Sequence, residues 1–274
     1  MAERVRVAVA GAAGRMGRAA IRAIAREPDL VLVGAIGRTN SIGKDAGEVA
    51  GAGRLGVPVG ADLERILRNG VDVLLDFTPG AAAVDHARVA IPSGVAPVIG
   101  GTGITPQQIN DLSRLCDERR IGAIVAPNFA IGAVLMMEFA RQAARYFPHA
   151  EIIELHHDRK RDAPSGTAVK TAALISTARG KEPVPAVKEE EMITGARGGR
   201  AEGVPVHSVR LPGLVAHQEV IFGGPGQTLT IRHDSINEES FMPGMLLAVR
   251  RVGSLPGLVY GLEKLLELPE RVEK

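Results

Sequence analysis

The sequence predicts an α/β protein, with a doubly wound parallel sheet followed by a second, α+β region built on an open mixed sheet. Three observations carry this. Short, almost wholly apolar strands alternate with helical patterns through the first half. A glycine-rich turn joins the first strand to the first helix. Beyond about residue 128 the alternation gives way to strands in close succession.

Residues 5–9 (Val-Arg-Val-Ala-Val) read as the first strand, and residues 18–26 as a helix with Ile21, Ile24 and Ala25 on one face. Apolar strands are predicted at 30–35, 71–77, 95–99 and 121–126, with helices at 80–91 and 106–119 between the later ones. In the second half, 131–146 and 167–178 read as helices, 151–156 as a strand, and 180–191 as a polar, proline-containing loop. Strands follow at 204–211, 217–222 and 228–233, and the tail from 241 to 268 reads as largely helical, broken near Gly253 and Pro256. An open sheet leaves faces and edges that need a partner, so an oligomer is expected.

Composition narrows the function classes. With 274 residues, one large or two modest domains are expected. Hydrophobic residues make up 45% but aromatics only 3%, so aliphatic side chains must fill the core. Thirty-three basic against 31 acidic residues give a net charge of +2, which provides no global attraction for nucleic acid or a membrane surface. Cys116 is alone, which excludes an intrachain disulfide; its helical setting marks it as a core thiol. The N-terminus runs straight into a strand, and no apolar run approaches the ~20 residues of a membrane span. The expected location is the cytoplasm.

Gly11-Ala12-Ala13-Gly14-Arg15-Met16-Gly17 lies between strand and helix, the context a dinucleotide-binding turn requires. Gly11 permits the tight turn, Gly14 lets backbone approach a pyrophosphate, and Gly17 lets the helix pack closely. The helix end then offers unpaired N–H groups, and Arg15 and Arg18 offer charge. The bland reading is a tight turn without a ligand. At the end of the second strand, where an acid would bind ribose hydroxyls, the chain has Arg38, which suits a 2′-phosphate and favours NADP; Asp45 and Glu48 in the next loop are the nearest alternative acids. Gly100, Gly101 and Thr102 follow the fourth strand, and Ala126, Pro127, Asn128 and Phe129 the fifth. Both stretches sit at carboxyl ends of strands, where open α/β sheets bind ligands.

The most chemically loaded stretch is 154–167, Glu-Leu-His-His-Asp-Arg-Lys-Arg-Asp-Ala-Pro-Ser-Gly-Thr. On a strand, Glu154 and His156 share one face and His157 takes the other. Two surface histidines beside a basic loop would be the bland reading. Lys160 and Arg161 follow at once, however, and Ser165 and Thr167 can cap a helix whose Gly166 and Thr167 N–H groups can grip a carboxylate. Such a set suits a small dianion that must also be protonated, with His156 or Lys160 as the acid. The histidines point apart and no matching ligand set appears, so no metal is implied.

The segment 154–168, together with the turn 11–17, Asp45-Ala-Gly-Glu48, Asp76-Phe-Thr78, Ile99-Gly-Gly-Thr-Gly103 and Pro127-Asn-Phe129, closely resembles the 4-hydroxy-tetrahydrodipicolinate (dihydrodipicolinate) reductase family. The resemblance runs from Val5 to about Leu268. It implies a Rossmann domain over 1–128 completed by C-terminal helices within 241–274, and a substrate-binding and tetramerisation domain over 129–240. It also implies NADPH and/or NADH as hydride donor, a cyclic dicarboxylate substrate and a homotetramer. By this resemblance His156 and Lys160 are catalytic, and His157, Ser165, Gly166 and Thr167 meet the substrate. Residues 11–17, Gly100–Thr102 and Ala126–Phe129 meet the cofactor.

The chain departs from the family at three places. Gly101 stands where many members have threonine, no acid ends the second strand, and Glu238 stands where many have arginine. Two other classes compete. An acylating aldehyde dehydrogenase would need a nucleophilic cysteine, and Cys116 is the only one. A nucleotide-sensing module would keep the glycine turn but not the proton donors.

Overall fold

The computed structural model describes residues 4–266 except 182, 184–186, 188 and 189, and only the backbone of Thr39. The described chain forms two compact units: residues up to Phe129 together with those from Glu238 onward, and Ala130–Asn237.

The first unit shows the predicted alternation and adds three short elements, Ala46–Ala50, Val59–Gly60 and Leu63–Leu67, between the second and third predicted strands. Its elements are β1 (Val5–Ala10), α1 (Arg15–Ile24), β2 (Leu30–Ile36), α2 (Ala46–Ala50), β3 (Val59–Gly60), α3 (Leu63–Leu67), β4 (Val73–Asp76), α4 (Gly80–Ala90), β5 (Ala96–Ile99), α5 (Pro106–Arg119) and β6 (Ala123–Val125). The strands pair in parallel in the order β3-β2-β1-β4-β5-β6. Strand order reverses direction between β1 and β4, and that is where a doubly wound sheet opens a crevice at its carboxyl edge.

Both faces of this sheet are covered, which is why its strands read as unbroken apolar runs. Ala8, Ala10 and Leu74 pack with Leu67 and Ala90, while Ile99, Ala123 and Val125 pack with Val84, Leu112 and Cys116. A capping box at Thr105 and Gln108 starts α5, followed by Pro106 in the first turn. The Cys116 thiol is fully buried; burial, aided by the Asp117 charge, pushes its pKa up to about 11. That thiol is no nucleophile.

The second unit contains α6 (Ile131–Ala143), β7 (His149–His156), α7 (Gly166–Arg179), β8 (Gly199–Ala201), β9 (Val204–Arg210), β10 (Ala216–Gly224) and β11 (Gln227–Ser235). Its sheet order is β11-β10-β7-β9-β8, with β7 and β9 parallel and every other pair antiparallel, so the sheet is mixed. One face packs Ile152, Val206, Val220 and Phe222 against Ala140, Ala168, Ala172 and Ile175 of α6 and α7. The opposite face carries Ile153, Leu155 and Ile221 among charge pairs, His207–Glu151 at 2.8 Å, His217–Asp234 at 2.7 Å and Arg232–Glu219 at 2.9 Å. Of the predicted loop 180–191, residues 182, 184–186, 188 and 189 lie outside the described residues.

The chain then returns to the first unit with α8 (Met242–Val252) and β12 (Leu258–Tyr260). Here the predicted helical tail is corrected. Leu258-Val-Tyr260 is a strand that pairs in parallel with β6 and extends the first sheet to seven strands. Three apolar residues between Gly257 and Gly261 are too few to show a period of two, so the tail's helical rhythm masked them. Residues 267–274 lie outside the described residues.

Candidate functional site

In the first unit a cleft of about 1460 Å³ opens at the carboxyl edge of the sheet, lined among others by Gly11, Gly14, Arg38, Lys44, Thr78 and His86. Its floor is dictated by glycine. Gly11 has φ of 76°, a conformation that favours a residue without Cβ. A Cβ on Gly17 would run into the carbonyl oxygen of Gly11, so only glycine lets α1 sit this close to the turn. Gly14 occupies the N-cap of α1 and no side chain caps the helix, which leaves the first-turn N–H groups for an incoming anion. A pyrophosphate fits this cradle.

The cleft wall beyond β2 is basic. Arg38 and Lys44 are exposed, line the cleft, and make no ion pair with another described residue. Lys44 is held in place through its backbone, since its carbonyl accepts from Val59 N–H at 2.9 Å. Asp45, one of the two alternative acids for a ribose, is already committed. Its carboxylate accepts from the N–H groups of Gly47, Glu48, Leu55 and Gly56, and those bonds hold its pKa below the usual range. It lines the cleft, with its carboxylate oxygens turned to the loop's own N–H groups. Glu48 lines the cleft.

Gly100, Gly101 and Thr102 pack against the segment 77–80: the Thr102 carbonyl accepts from Gly80 N–H at 3.1 Å, and a Cβ on Gly100 would meet the rings of Phe77 and Phe129. Those two rings form an edge-to-face pair with centroids 6.1 Å apart, so the stretches after β4, β5 and β6 share one edge. Arg15 ion-pairs with Glu238 at 3.4 Å. One constellation here was missed from sequence. Asp76 is fully buried at the end of β4 and accepts from Thr78 N–H and hydroxyl, at 2.7 and 2.6 Å, and lies 2.7 Å from His86 Nδ1. Asp76 and Thr78 adjoin in sequence, but His86, one helix away, gives no local signal.

In the second unit, β7 delivers His156 and the loop after it delivers Lys160. Ser165 is the N-cap of α7, its hydroxyl accepting from Ala168 N–H at 3.2 Å, as the sequence predicts. Thr167 lies inside the first turn. Its carbonyl accepts from the Thr171 hydroxyl at 2.8 Å, and Thr171 in turn accepts from buried Gln218. Gly166 has open space where a Cβ would stand. Lys160 Nζ donates to both carboxylate oxygens of Asp162 at 2.8 Å, and this bond holds Asp162 below its usual pKa. His157 Nδ1 is buried without a protein partner among the described residues.

Beneath His156 lies a fully buried carboxylate, Glu154. Its oxygens take a bidentate grip from Arg210, at 2.7 and 2.8 Å, and the N–H of Ser165 at 3.2 Å; His156 Nδ1 lies 2.5 Å away. Burial pushes Glu154 up, but hydrogen bonds from His156, Arg210 and Ser208 outweigh it and bring its pKa to about 2. Arg210 also donates to the Asp162 carbonyl at 2.7 Å. Glu154 shares a strand face with His156, and that spacing was the readable signal for it. Arg210 arrives from β9 and had none.

Comparison with known proteins places both halves of the chain in one family. Residues 5–129 match the family model described as dihydrodipicolinate reductase, N-terminus, and residues 132–266 the one described as its C-terminus. A curated 4-hydroxy-tetrahydrodipicolinate reductase of Moorella thermoacetica is 54% identical, covering 96% of this chain and 98% of its own. The Synechocystis sp. protein of the same name is 52% identical over 95% and 97%. A solved dipicolinate-bound dihydrodipicolinate reductase from Paenisporosarcina sp. TG-14 superposes with a TM-score of 0.86 at 44% identity, covering 96% of this chain and all of that one. With both halves matched by the family's models, the chain belongs to the dihydrodipicolinate reductase family.

Proposed function

We propose that this chain reduces 4-hydroxy-tetrahydrodipicolinate to tetrahydrodipicolinate in lysine and diaminopimelate biosynthesis. The observation that carries the reading is the assembly of His156, Lys160 and the open N-terminus of α7 in one segment of the second unit. Loss of the C4 hydroxyl as water, with a proton from the adjacent ring carbon, leaves a conjugated C=C–C=N ring, and reduced nicotinamide, when bound, would supply a hydride to its C4. The carbon beside C4 then becomes electron-rich, and a proton from Lys160 or His156 completes the reduction. Gly166, Thr167 and His157 hold the ring carboxylates, with Ser165 fixing the helix end that presents the N–H groups.

Residues 11–17 would hold the pyrophosphate, and Gly100–Thr102 and Ala126–Phe129 the nicotinamide end. Arg38 would hold the adenosine phosphate; with Lys44 beside the cleft and Asp45 occupied, this supports NADPH over NADH. The face of the second sheet away from α6 and α7 is read as the assembly surface of a homotetramer. Its apolar residues, interleaved with paired charges, support that reading. A cytoplasmic location goes with it, since free thiols such as Cys116 persist there.

The test is oxidation of NADPH, then NADH, by the wild-type protein, with substrate made freshly by condensing pyruvate with aspartate semialdehyde. Substrate-dependent oxidation, faster with NADPH, is expected. A folded protein that binds either dinucleotide yet oxidises neither would overturn the reading. Elution as a monomer by light scattering would remove the tetramer from it.

A further inference from the structure

The acidic residue that touches His156 is Glu154. We infer that Glu154 is a positioning residue for the reduction: it fixes the imidazole of His156 with Nε2 as the working nitrogen, and it joins that ring to the anion-binding end of α7. The inference rests on the reading of His156 as a proton-handling group.

Glu154 is fully buried, and besides the imidazole four donor groups converge on its two oxygens, one of them the Ser208 hydroxyl. The others are two Arg210 N–H groups and the backbone N–H of Ser165, and all four donate. A carboxylate so surrounded is an acceptor only. Nδ1 of His156, 2.5 Å away, must therefore carry the hydrogen of that contact. This selects one tautomer of the neutral ring, and it leaves Nε2 as the nitrogen able to take or give a proton to a ligand.

The second connection runs through the backbone. Ser165 N–H donates to the Glu154 oxygen that also receives Arg210 Nη2, while the Ser165 hydroxyl caps α7. Arg210 reaches onward to the Asp162 carbonyl, and Asp162 holds Lys160. One buried carboxylate thus ties together the strand bearing His156, the loop bearing Lys160 and the first turn of α7. Because Arg210 spends its bonds on Glu154 and Asp162, it serves this frame and is not a free cation for a substrate.

Two variants separate positioning from packing. Glu154→Gln keeps the volume, but an amide can either accept from Nδ1–H or donate to a bare Nδ1, so the tautomer is no longer selected. In histidine-labelled protein, long-range ¹H–¹⁵N spectra should show a single Nδ1–H form of neutral His156 in the wild type and a mixture in E154Q. kcat should fall roughly 10- to 100-fold, the usual cost of removing a histidine's orienting partner. KM and the dissociation constant of dipicolinate should stay within about twofold, since the groups gripping the carboxylates remain.

Arg210 would be left with a neutral partner in E154Q, and that alone could unfold the unit. The double variant E154Q/R210M removes both charges together and leaves no buried guanidinium uncompensated. It should fold and show the same kcat loss. Wild-type kcat in the double variant would mean that Glu154 serves only to neutralise Arg210, and the inference would fall. An unchanged single tautomer in E154Q would overturn it equally. The spectra need no turnover, so they decide the positioning role even if the proposed substrate is wrong; absent wild-type turnover would count against the substrate alone.

Discussion

The glycine-floored cleft of the first unit and the histidine–lysine segment of the second are built by opposite means. The cleft is shaped by what is missing: glycines at 11, 14 and 17 let backbone pack on backbone, and an uncapped helix end awaits its anion. The segment is shaped by what is buried: a carboxylate with no exposure, gripped by a guanidinium from a strand 56 residues away. Steric demands act between close neighbours in sequence, so they leave a short motif. Electrostatic demands are met by any strand that passes nearby, and so leave only half a motif. A glycine cradle can thus be read locally, whereas the frame that holds the His156 imidazole is a property of the tertiary fold.

The difference can be broken from the steric side first. Gly17→Ala places a methyl against the Gly11 carbonyl, and overpacking of this kind costs about 1–3 kcal/mol. Dinucleotide affinity measured by calorimetry should fall roughly 10- to 100-fold, while the His156 signals in the spectra stay where they are. Unchanged affinity would show that the close approach is not needed.

The electrostatic side is tested by acid. The folded Glu154 has a pKa of about 2 against an ordinary value of 4.5. The carboxylate is favoured in the fold, so its contribution is fully present above the ordinary value and fades as pH falls toward about 2. The linkage is on the order of 3 kcal/mol. The difference in urea-unfolding free energy between wild type and E154Q should therefore shrink steadily from about pH 5 to pH 2. A difference that stays level across that range would contradict the buried-carboxylate account.

Arg38→Ala should weaken NADPH roughly 10-fold, the loss of one charge-assisted hydrogen bond of about 1.5 kcal/mol, and change NADH by less than about twofold. Lys44→Ala should do the same to a lesser degree. Equal effects on the two dinucleotides would remove the 2′-phosphate from the reading. The smallest effect is expected at Cys116. Its thiol is buried and held above the physiological range, so Cys116→Ala should leave kcat within about twofold and cost roughly 1 kcal/mol of stability. A dead but folded variant would revive cysteine chemistry.

Much of this was legible in the sequence. The strand–helix alternation, the glycine turn and the Ser165 cap all follow from local spacing, and the structure shows them where spacing puts them. Glu154 was visible as a same-face neighbour of His156, yet nothing local distinguished a buried acceptor from a solvated acid. Arg210 and His86 come from separate elements, and contacts of that range have no sequence period. β12 escaped because three residues cannot display alternation. The role of Asp45 was hidden for another reason: its four N–H donors are backbone groups, which no side-chain pattern records.

The most direct test is a double variant, His156→Gln with Lys160→Ala, examined for NADPH binding and for turnover of the condensed substrate side by side. The account predicts a dissociation constant for NADPH within about twofold of wild type, and turnover reduced roughly 10³-fold or more, as expected when positioned proton donors are removed. Turnover that survives, or that falls only in step with NADPH affinity, would show that the second unit's segment is not where the proton is handled.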